Sequence, residues 1–301
     1  MYRCFACLWL VAGCSIADGE HLPEAGTIAK TVQMVGTSPV GASPRTVPAP
    51  SARTTSAARP ISPCGPGMVR VDDFCVDRYE AHLKELQRDG ATVPHPYYER
   101  PNAGATYVAA SEAGVFPQGY VSRIEASAAC VAAGKRLCSR SEWLRACRMA
   151  IPASRPPRAP TCNVGKVHLL SYLFADRQGS FRYDEHFNAP ALNKTPGFLA
   201  RTGEHDDCQS ESGAFDMIGN LHEWVSDTVS ATFLQRFESE GVHRQWQPGQ
   251  VGNGIFMGGF YSTTGEHGPG CAFTTIAHEP AYHDYSTGFR CCSETVPRTK
   301  E

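Results

Sequence analysis

The chain lacks the features that mark several large classes of protein. Its 301 residues contain no uninterrupted apolar run of about 20 residues, the length that a membrane-spanning helix needs. Its 28 basic residues nearly balance its 30 acidic ones, so no charge excess favours nucleic acid or an anionic surface as a partner. No internal repeat is visible, and the cysteines from Cys64 onward contain no C-x-x-C pair of the kind that zinc sites use.

The first residues have the pattern of an export signal. Arg3 precedes a short apolar stretch, Phe5 to Ala12, and the sequence V-A-G-C ending at Cys14 resembles a bacterial lipobox. We therefore predict a lipoprotein signal peptide over residues 1–13 and a lipid anchor on Cys14. An ordinary signal peptide or a misplaced start codon would give a similar pattern. The predicted location is the bacterial cell envelope, and Ser15 favours the outer membrane.

The next segment has the composition of a tether. Residues 15–62 are rich in alanine, proline, serine and threonine and contain no cysteine, a composition that cannot bury a core. We predict a disordered tether over 14–62 and one folded domain over 63–296. A small separate domain in place of the tether is the alternative.

The cysteine count predicts a disulfide framework. Of 13 cysteines, two lie in the signal and one is Cys14, which leaves ten. An even number in an exported domain indicates up to five bridges. We expect the adjacent Cys291 and Cys292 to belong to different bridges. The ten are Cys64, Cys75, Cys130, Cys138, Cys147, Cys162, Cys208, Cys271, Cys291 and Cys292.

Local signals place the first strands and helices. Met68–Val71 and Phe74–Asp77 are predicted strands around an Asp-Asp turn, and Cys64 and Cys75 flank them and are expected to pair. An insert over residues 82–118 follows.

Two predicted helices begin at capping boxes. These are Ser122 to Glu125 and Ser139 to Glu142, and Gly134 ends the first helix. Ile124, Ala128 and Val131 share one face of that first helix. Trp143 in the second helix and Trp224 further along are expected in the core.

Four passages in order resemble the formylglycine-generating enzyme family, also called the sulfatase-modifying factor family. The most specific follows the pattern G-x-x-D-M-x-G-N-x-x-E-W, from Gly213 to Trp224. The others are Gly134–Trp143, Met257–Tyr261 and Gly288–Cys292. The resemblance implies an α+β, C-type-lectin-like fold with little regular secondary structure, stapled by disulfides.

The resemblance also implies calcium at the signature turn. The family's ligands match Asp216 and Glu223 by side chain, and Gly219 and Leu221 by backbone oxygen. Calcium prefers six to eight such oxygens in a flexible loop. In the alternative interpretation, Asp216 caps the turn and Glu223 pairs with an arginine.

A second family calcium site begins with an Asn-Ile pair. Asn163 and Val164 are the matching residues, and its later ligands have no clear counterpart here.

The resemblance argues against the family's copper chemistry in this chain. The family enzyme holds Cu(I) through two cysteines just beyond a Gly-Gly pair, and soft thiolates suit that ion. Here Gly258 and Gly259 are followed by Thr263 at the first cysteine position, and Cys271 comes several residues late. We therefore expect no copper, although Cys271 is a weak catalytic candidate, and whether the chain is an enzyme stays open.

A cluster of histidines and carboxylates offers a different metal chemistry. His267, His278, Glu279, His283 and Asp284 fall within eighteen residues, and such side chains bind iron or zinc. The alternative is a set of exposed loop histidines, because the spacing matches no helical ligand pair.

Together these observations favour a non-catalytic binding or scaffold module whose partner is an unidentified protein or small ligand. The alternative is an atypical formylglycine-generating enzyme or a non-haem metal oxidoreductase acting on a protein or small molecule. Arg290, in the closing G-F-R-C-C passage, is expected to be a buried structural arginine that bonds backbone carbonyls.

Overall fold

In the computed structural model, structure is described for residues 64–148, 162–177, 180–239, 248–263 and 270–295. All of these belong to one compact unit, residues 59–301. The predicted signal peptide, Cys14 and the tether lie outside the described residues. Among the described residues, no helix is both long enough and apolar enough to cross a membrane.

The first sheet joins distant parts of the chain. Strands β1 (Met68–Val71) and β2 (Phe74–Asp77) form the predicted antiparallel hairpin. Strand β2 also pairs with β11 (Cys291–Glu294), which in turn pairs with β6 (Arg136–Leu137). The resulting order is β1-β2-β11-β6.

The second sheet contains the signature segment. Its central strand β7 (His222–Thr228) runs parallel to β10 (Thr287–Phe289) and antiparallel to β8 (Gly254–Met257). Strand β9 (Thr274–Thr275) completes the order β10-β7-β8-β9. Trp224 on β7 is 1% exposed, as predicted for a core residue.

The insert over residues 82–118 builds a third sheet. Strand β3 (His82–Leu86) lies between β4 (Thr92–Pro94) and β5 (Tyr107–Ala110), and both pairings are antiparallel. Strand β5 packs against the first helix.

The two long predicted helices are confirmed. Helix α1 (Arg123–Ala132) and helix α2 (Arg140–Ala146) both begin with complete capping boxes, in which the serine hydroxyl and the third-residue glutamate bond each other's backbone N–H groups. Gly134, just beyond α1, has a φ of 69°, the left-handed conformation that ends helices. The other helical elements in the described part of the chain are α3 (Leu169–Leu173), α4 (Ala191–Lys194), α5 (Ala231–Ser239), a π-helical turn (Tyr183–Phe187) and three 3-10 turns (Ala175–Arg177, Pro248–Gln250, Gly270–Ala272).

The predicted apolar face of α1 points away from the core. Ile124 and Val131 are 59% and 64% exposed, whereas Ala126, Ala129 and Cys130 are buried. Helix α1 therefore contributes its small residues to the core and leaves its larger apolar side chains outside.

Five disulfides pair all ten cysteines of the domain. Cys291 and Cys292 belong to different bridges, as expected, and these two bridges attach α1 and the start of α2 to β11. The pairs are Cys64–Cys75, Cys130–Cys291, Cys138–Cys292, Cys147–Cys271 and Cys162–Cys208. The predicted pairing of Cys64 with Cys75 is confirmed.

Candidate functional site

The signature segment folds into a buried turn that leads into β7. Asp216, Gly219 and Asn220 all have positive φ, at 58°, 82° and 56°. A Cβ on Gly219 would lie 2.2 Å from the backbone oxygen of Asn163, so only glycine fits against this neighbour. The turn therefore brings the signature into direct contact with the Asn163 segment.

Asn220 is the centre of a hydrogen-bond network beneath the turn. Its Oδ1 accepts from Asn163 Nδ2 and from the Ala200 backbone N–H, both at 2.9 Å. Its Nδ2 donates to the carboxylate of Glu80, which also accepts from the Leu221 backbone N–H at 3.0 Å. Glu80 is fully buried. Sequence reasoning did not assign this glutamate to the site, although it lies three residues after Asp77, the last residue of β2.

Glu223 is held by an arginine and a tryptophan. Arg290 Nε and Nη2 donate to its two carboxylate oxygens, each at 2.6 Å. Trp143 Nε1 donates to Oε2 at 2.7 Å. Arg290 also donates to the backbone oxygens of Asp77 and Phe215, at 3.0 and 2.8 Å. The expectation of a buried structural arginine is confirmed.

The charges around Arg290 do not balance. Glu80, Asp216 and Glu223 are all buried near this single guanidinium. Burial and the neighbouring carboxylates raise the pKa of Glu80 well above its ordinary value. Burial also raises the pKa of Asp216, from 3.8 to about 6, although the Gly203 backbone N–H donates to it at 2.7 Å. Burial therefore favours the protonated forms of Glu80 and Asp216 more than water does.

The segment after Gly258 and Gly259 lies against this turn. Gly219 N donates to Gly258 O at 3.0 Å, and Tyr261 N donates to Asn220 O at 3.1 Å. Thr263 Oγ1 accepts from the backbone N–H of Phe260 at 2.6 Å, which closes a tight local turn.

Residues 67–295, more than half of the chain, match the family described as the sulfatase-modifying factor enzyme 1-like domain. The chain belongs to this family. The α+β, disulfide-stapled, C-type-lectin-like architecture expected from the sequence is thereby confirmed. No curated protein matches the chain.

Solved structures resemble this sulfatase-modifying-factor-like chain at low identity. The Major Tropism Determinant U1 variant is 13% identical over 78% of this chain and 54% of its own, with a TM-score of 0.43. PvdO from Pseudomonas aeruginosa is 14% identical over 73% and 80%, with a TM-score of 0.36. Treponema denticola variable protein 1 is 12% identical over 75% and 98%, with a TM-score of 0.34. This chain spans about half the length of the tropism determinant. We draw no conclusion about function from these identities and TM-scores.

The two carboxylates at the family's calcium position, Asp216 and Glu223, have other partners here. Glu223 Oε2 already accepts two hydrogen bonds, and the Arg290 guanidinium lies where a second cation would be repelled. No group of three histidine, cysteine, aspartate or glutamate side chains suited to a metal occurs in the described part of the chain. The geometry favours the arginine pair that the sequence offered as the alternative. Calcium at Asp216, Gly219, Leu221 and Glu223 stays a prediction.

The second family calcium position is partly formed. Asn163 is buried, and its Oδ1 has no hydrogen-bond partner among the described residues, while its Nδ2 donates to Phe198 O at 2.9 Å. Val164 beside it is 39% exposed. One amide oxygen supplies too few ligands to define an ion site, so this assignment also stays a prediction.

Neither Thr263, at the family's first copper position, nor Cys271, several residues beyond it, offers a thiolate. Thr263 carries a hydroxyl that accepts a hydrogen bond from the backbone N–H of Phe260. Cys271 is bonded to Cys147. The weak catalytic candidate Cys271 therefore has no free thiol in this structure.

The histidine and carboxylate cluster is dispersed into separate contacts. His278 stacks on Tyr282 with ring centroids 3.6 Å apart, and burial lowers the pKa of His278 to about 4. His283 contacts the hydroxyl of Tyr183. Asp284 accepts from Tyr282 and Ser286, while Glu279 lies on the surface and His267 lies outside the described residues. His278, His283 and Asp284 therefore each have a structural partner.

Proposed function

We propose that the chain is a non-catalytic binding or scaffold module of the sulfatase-modifying factor family. It is exported to the bacterial cell envelope and held there by a lipid on Cys14. The observation that carries the proposal is the Cys147–Cys271 disulfide, which engages the first cysteine that follows the family's copper position in the sequence. A hydroxyl at Thr263 offers no soft ligand in its place.

The disulfide framework supports the predicted export. Five bridges pair ten cysteines in a domain of irregular structure, and such bridges persist in oxidising compartments. The predicted tether between Cys14 and the domain would then let the domain reach a partner at a distance from the membrane. The partner is an unidentified protein or small ligand.

A free-thiol count tests the proposal. The mature protein, isolated from a bacterial envelope without reductant, is unfolded in guanidinium with iodoacetamide and its mass is measured. We expect no alkylated cysteine among the ten, and ten after reduction as the control. Two alkylated cysteines including Cys271, together with Cu(I) binding, would overturn the non-catalytic assignment. The N-terminal peptide from the same sample should carry the added mass of lipid on Cys14.

A further inference from the structure

Three cations lie along one stretch of surface, residues 194–201. Lys194 and Arg201 begin and end this stretch, and both are exposed. The ammonium of Lys166 contacts the middle of it, where it donates to the backbone oxygens of Gly197 and Phe198 at 2.6 and 2.8 Å. We call Lys166, Lys194 and Arg201 the basic patch.

None of the three cations forms an ion pair with a carboxylate in the described part of the chain. Lys194 Nζ lies 4.4 Å from the centre of the Tyr98 ring, and Arg201 Cζ lies 4.4 Å from the centre of the Phe116 ring. Arg201 also donates to the backbone oxygen of Gly114. Ring faces and carbonyls hold a cation in place but leave its positive charge uncancelled.

One carboxylate, that of Glu204, lies close to the basic patch. It accepts from the Arg201 backbone N–H at 2.9 Å. Burial lowers the pKa of Lys166, and the charge of Glu204 opposes this. A single carboxylate cancels at most one of the three positive charges. Because the whole chain carries a net charge of −2, attraction to an anionic partner has to come from a local excess such as this one.

Apolar side chains stand beside these cations. Val167, next to Lys166 in the sequence, is 64% exposed, and Tyr172 is 61% exposed. The Tyr172 ring lies 5.5 Å from the ring of Phe198, whose backbone oxygen accepts from Lys166. Exposed tyrosine and aliphatic side chains beside lysine and arginine form the composition that suits a membrane–water interface.

We propose that the basic patch, together with Val167 and Tyr172, docks the domain onto an anionic lipid surface. The lipid phosphates pair with Lys194 and Arg201, and the two apolar side chains enter the headgroup region. A soluble acidic protein or polysaccharide would also pair with the cations, but it offers no apolar layer for Val167 and Tyr172.

The occupant follows from the length of chain that precedes the domain. The proposal rests on the proposed function, in which a lipid on Cys14 holds the chain at a membrane. As a flexible coil, residues 15–62 would span about 40 Å, so the domain stays within reach of that same membrane.

The attachment is weak and reversible. Each basic residue near an anionic surface strengthens binding only about fivefold. Salt screens the attraction, so binding falls as ionic strength rises. The lipid on Cys14 provides the lasting attachment, and the basic patch sets which face of the domain turns toward the membrane.

Vesicle sedimentation tests the proposal on the full mature chain with Cys14→Ser, so that no lipid on this residue contributes to binding. The parent should bind vesicles of mixed phosphatidylglycerol and phosphatidylcholine at least about tenfold more strongly than phosphatidylcholine alone. Lys194→Gln combined with Arg201→Gln should lower the partition coefficient on the anionic vesicles about tenfold. Val167→Ser combined with Tyr172→Ser should also lower it, but should leave binding to soluble dextran sulfate unchanged.

Arg70→Gln combined with Arg145→Gln is the matched control. It removes the same two charges, and Arg145 Cζ lies 4.6 Å from the centre of the Phe74 ring, much as Arg201 lies over Phe116. These two arginines belong to β1 and α2, a different part of the fold. The control should bind the anionic vesicles as the parent does, and circular dichroism should be unchanged in every variant.

Four results would each overturn the proposal. They are equal binding of the parent to both vesicles, an equal loss in the control, no loss in the variant of Val167 and Tyr172, or binding of dextran sulfate through Lys194 and Arg201 without binding to vesicles. The last would assign the basic patch to an acidic polysaccharide. A chain that carries no lipid on Cys14 would overturn the proposed anchor instead, and the vesicle measurement would be unaffected.

Discussion

The signature turn and the segment after Gly259 lie side by side and carry two halves of the family's sequence pattern, yet their environments differ. In the turn, Glu223 is buried and its carboxylate accepts hydrogen bonds from Trp143 and Arg290, which come from other parts of the chain. In the neighbouring segment, Thr263 is partly exposed, and its hydroxyl bonds a backbone group three residues away.

This difference distinguishes the residues that the fold needs from the residues that the family's metal chemistry needs. Removing either Arg290 or Glu223 would leave the other as a buried charge without its partner, and this destabilises any member with this fold. Replacing a thiol at Thr263 by a hydroxyl costs the fold little but removes a soft metal ligand. A family pattern can therefore be complete in its structural half while its catalytic half is changed.

The largest expected effect is a loss of stability at the signature turn, the structural half of the pattern. Arg290→Met removes the guanidinium from Glu223 and from the backbone oxygens of Asp77 and Phe215. We expect the free energy of unfolding to fall by about 3–5 kcal/mol, because a buried charge is left unpaired. Urea unfolding followed by fluorescence measures the change.

Two matched variants calibrate that result. Arg100→Met breaks an ion pair with Glu125 in which the arginine is 52% exposed, and should cost less than about 1 kcal/mol. Thr263→Val removes one hydrogen bond in the second region and should cost about 1 kcal/mol. If Arg290→Met were no more destabilising than these, the contrast between the two regions would be lost.

The next prediction concerns the ionisation of Asp216 in the turn. The pKa of Asp216 is raised by burial from 3.8 to about 6. A group with a raised folded pKa stabilises the protein below its unfolded pKa, and this contribution is lost as pH rises through the folded value. Asp216→Asn keeps an acceptor for the Gly203 N–H and tolerates positive φ, but it cannot ionise.

The measurement is the difference in unfolding free energy between the asparagine variant and the parent. The unfolding free energy of the variant minus that of the parent should increase between about pH 4 and pH 6, because the parent loses stability there, and should then level off. Using a difference removes the contributions of other carboxyl groups that both proteins share. A difference that stays constant across this range would show that Asp216 has an ordinary pKa.

Short-range features were predictable from the sequence and long-range ones were not. The capping boxes join residues three positions apart and the β1–β2 hairpin joins residues at most nine apart, so their signals are local. The even cysteine count predicted full pairing, but the pairing of Cys130 with Cys291 crosses 161 residues and has no local signal.

That same bridge explains the orientation of α1. The pattern of Ile124, Ala128 and Val131 defines a stripe but does not say which way it faces. Because Cys130 must reach Cys291 on β11, the helix turns Ala126 and Ala129 inward and the stripe outward. In the site, the sequence offered an arginine partner for Glu223 without identifying it, since Arg290 lies 67 residues away.

The smallest expected effect is that of calcium. If the ion bound the turn with Asp216 and Glu223, calcium at 100 times its dissociation constant would add about 2.7 kcal/mol. This would raise the melting temperature of a domain this size by about 5–10 °C. If instead Arg290 alone supplies the positive charge beside Glu223, we expect exchange between calcium and a chelator to shift the melting temperature by less than about 1 °C. A shift of several degrees that disappears in Asp216→Ala would place the ion at the turn and reverse this expectation. Magnesium at equal ionic strength is the control, because it screens charge equally but demands octahedral ligands that this turn does not offer.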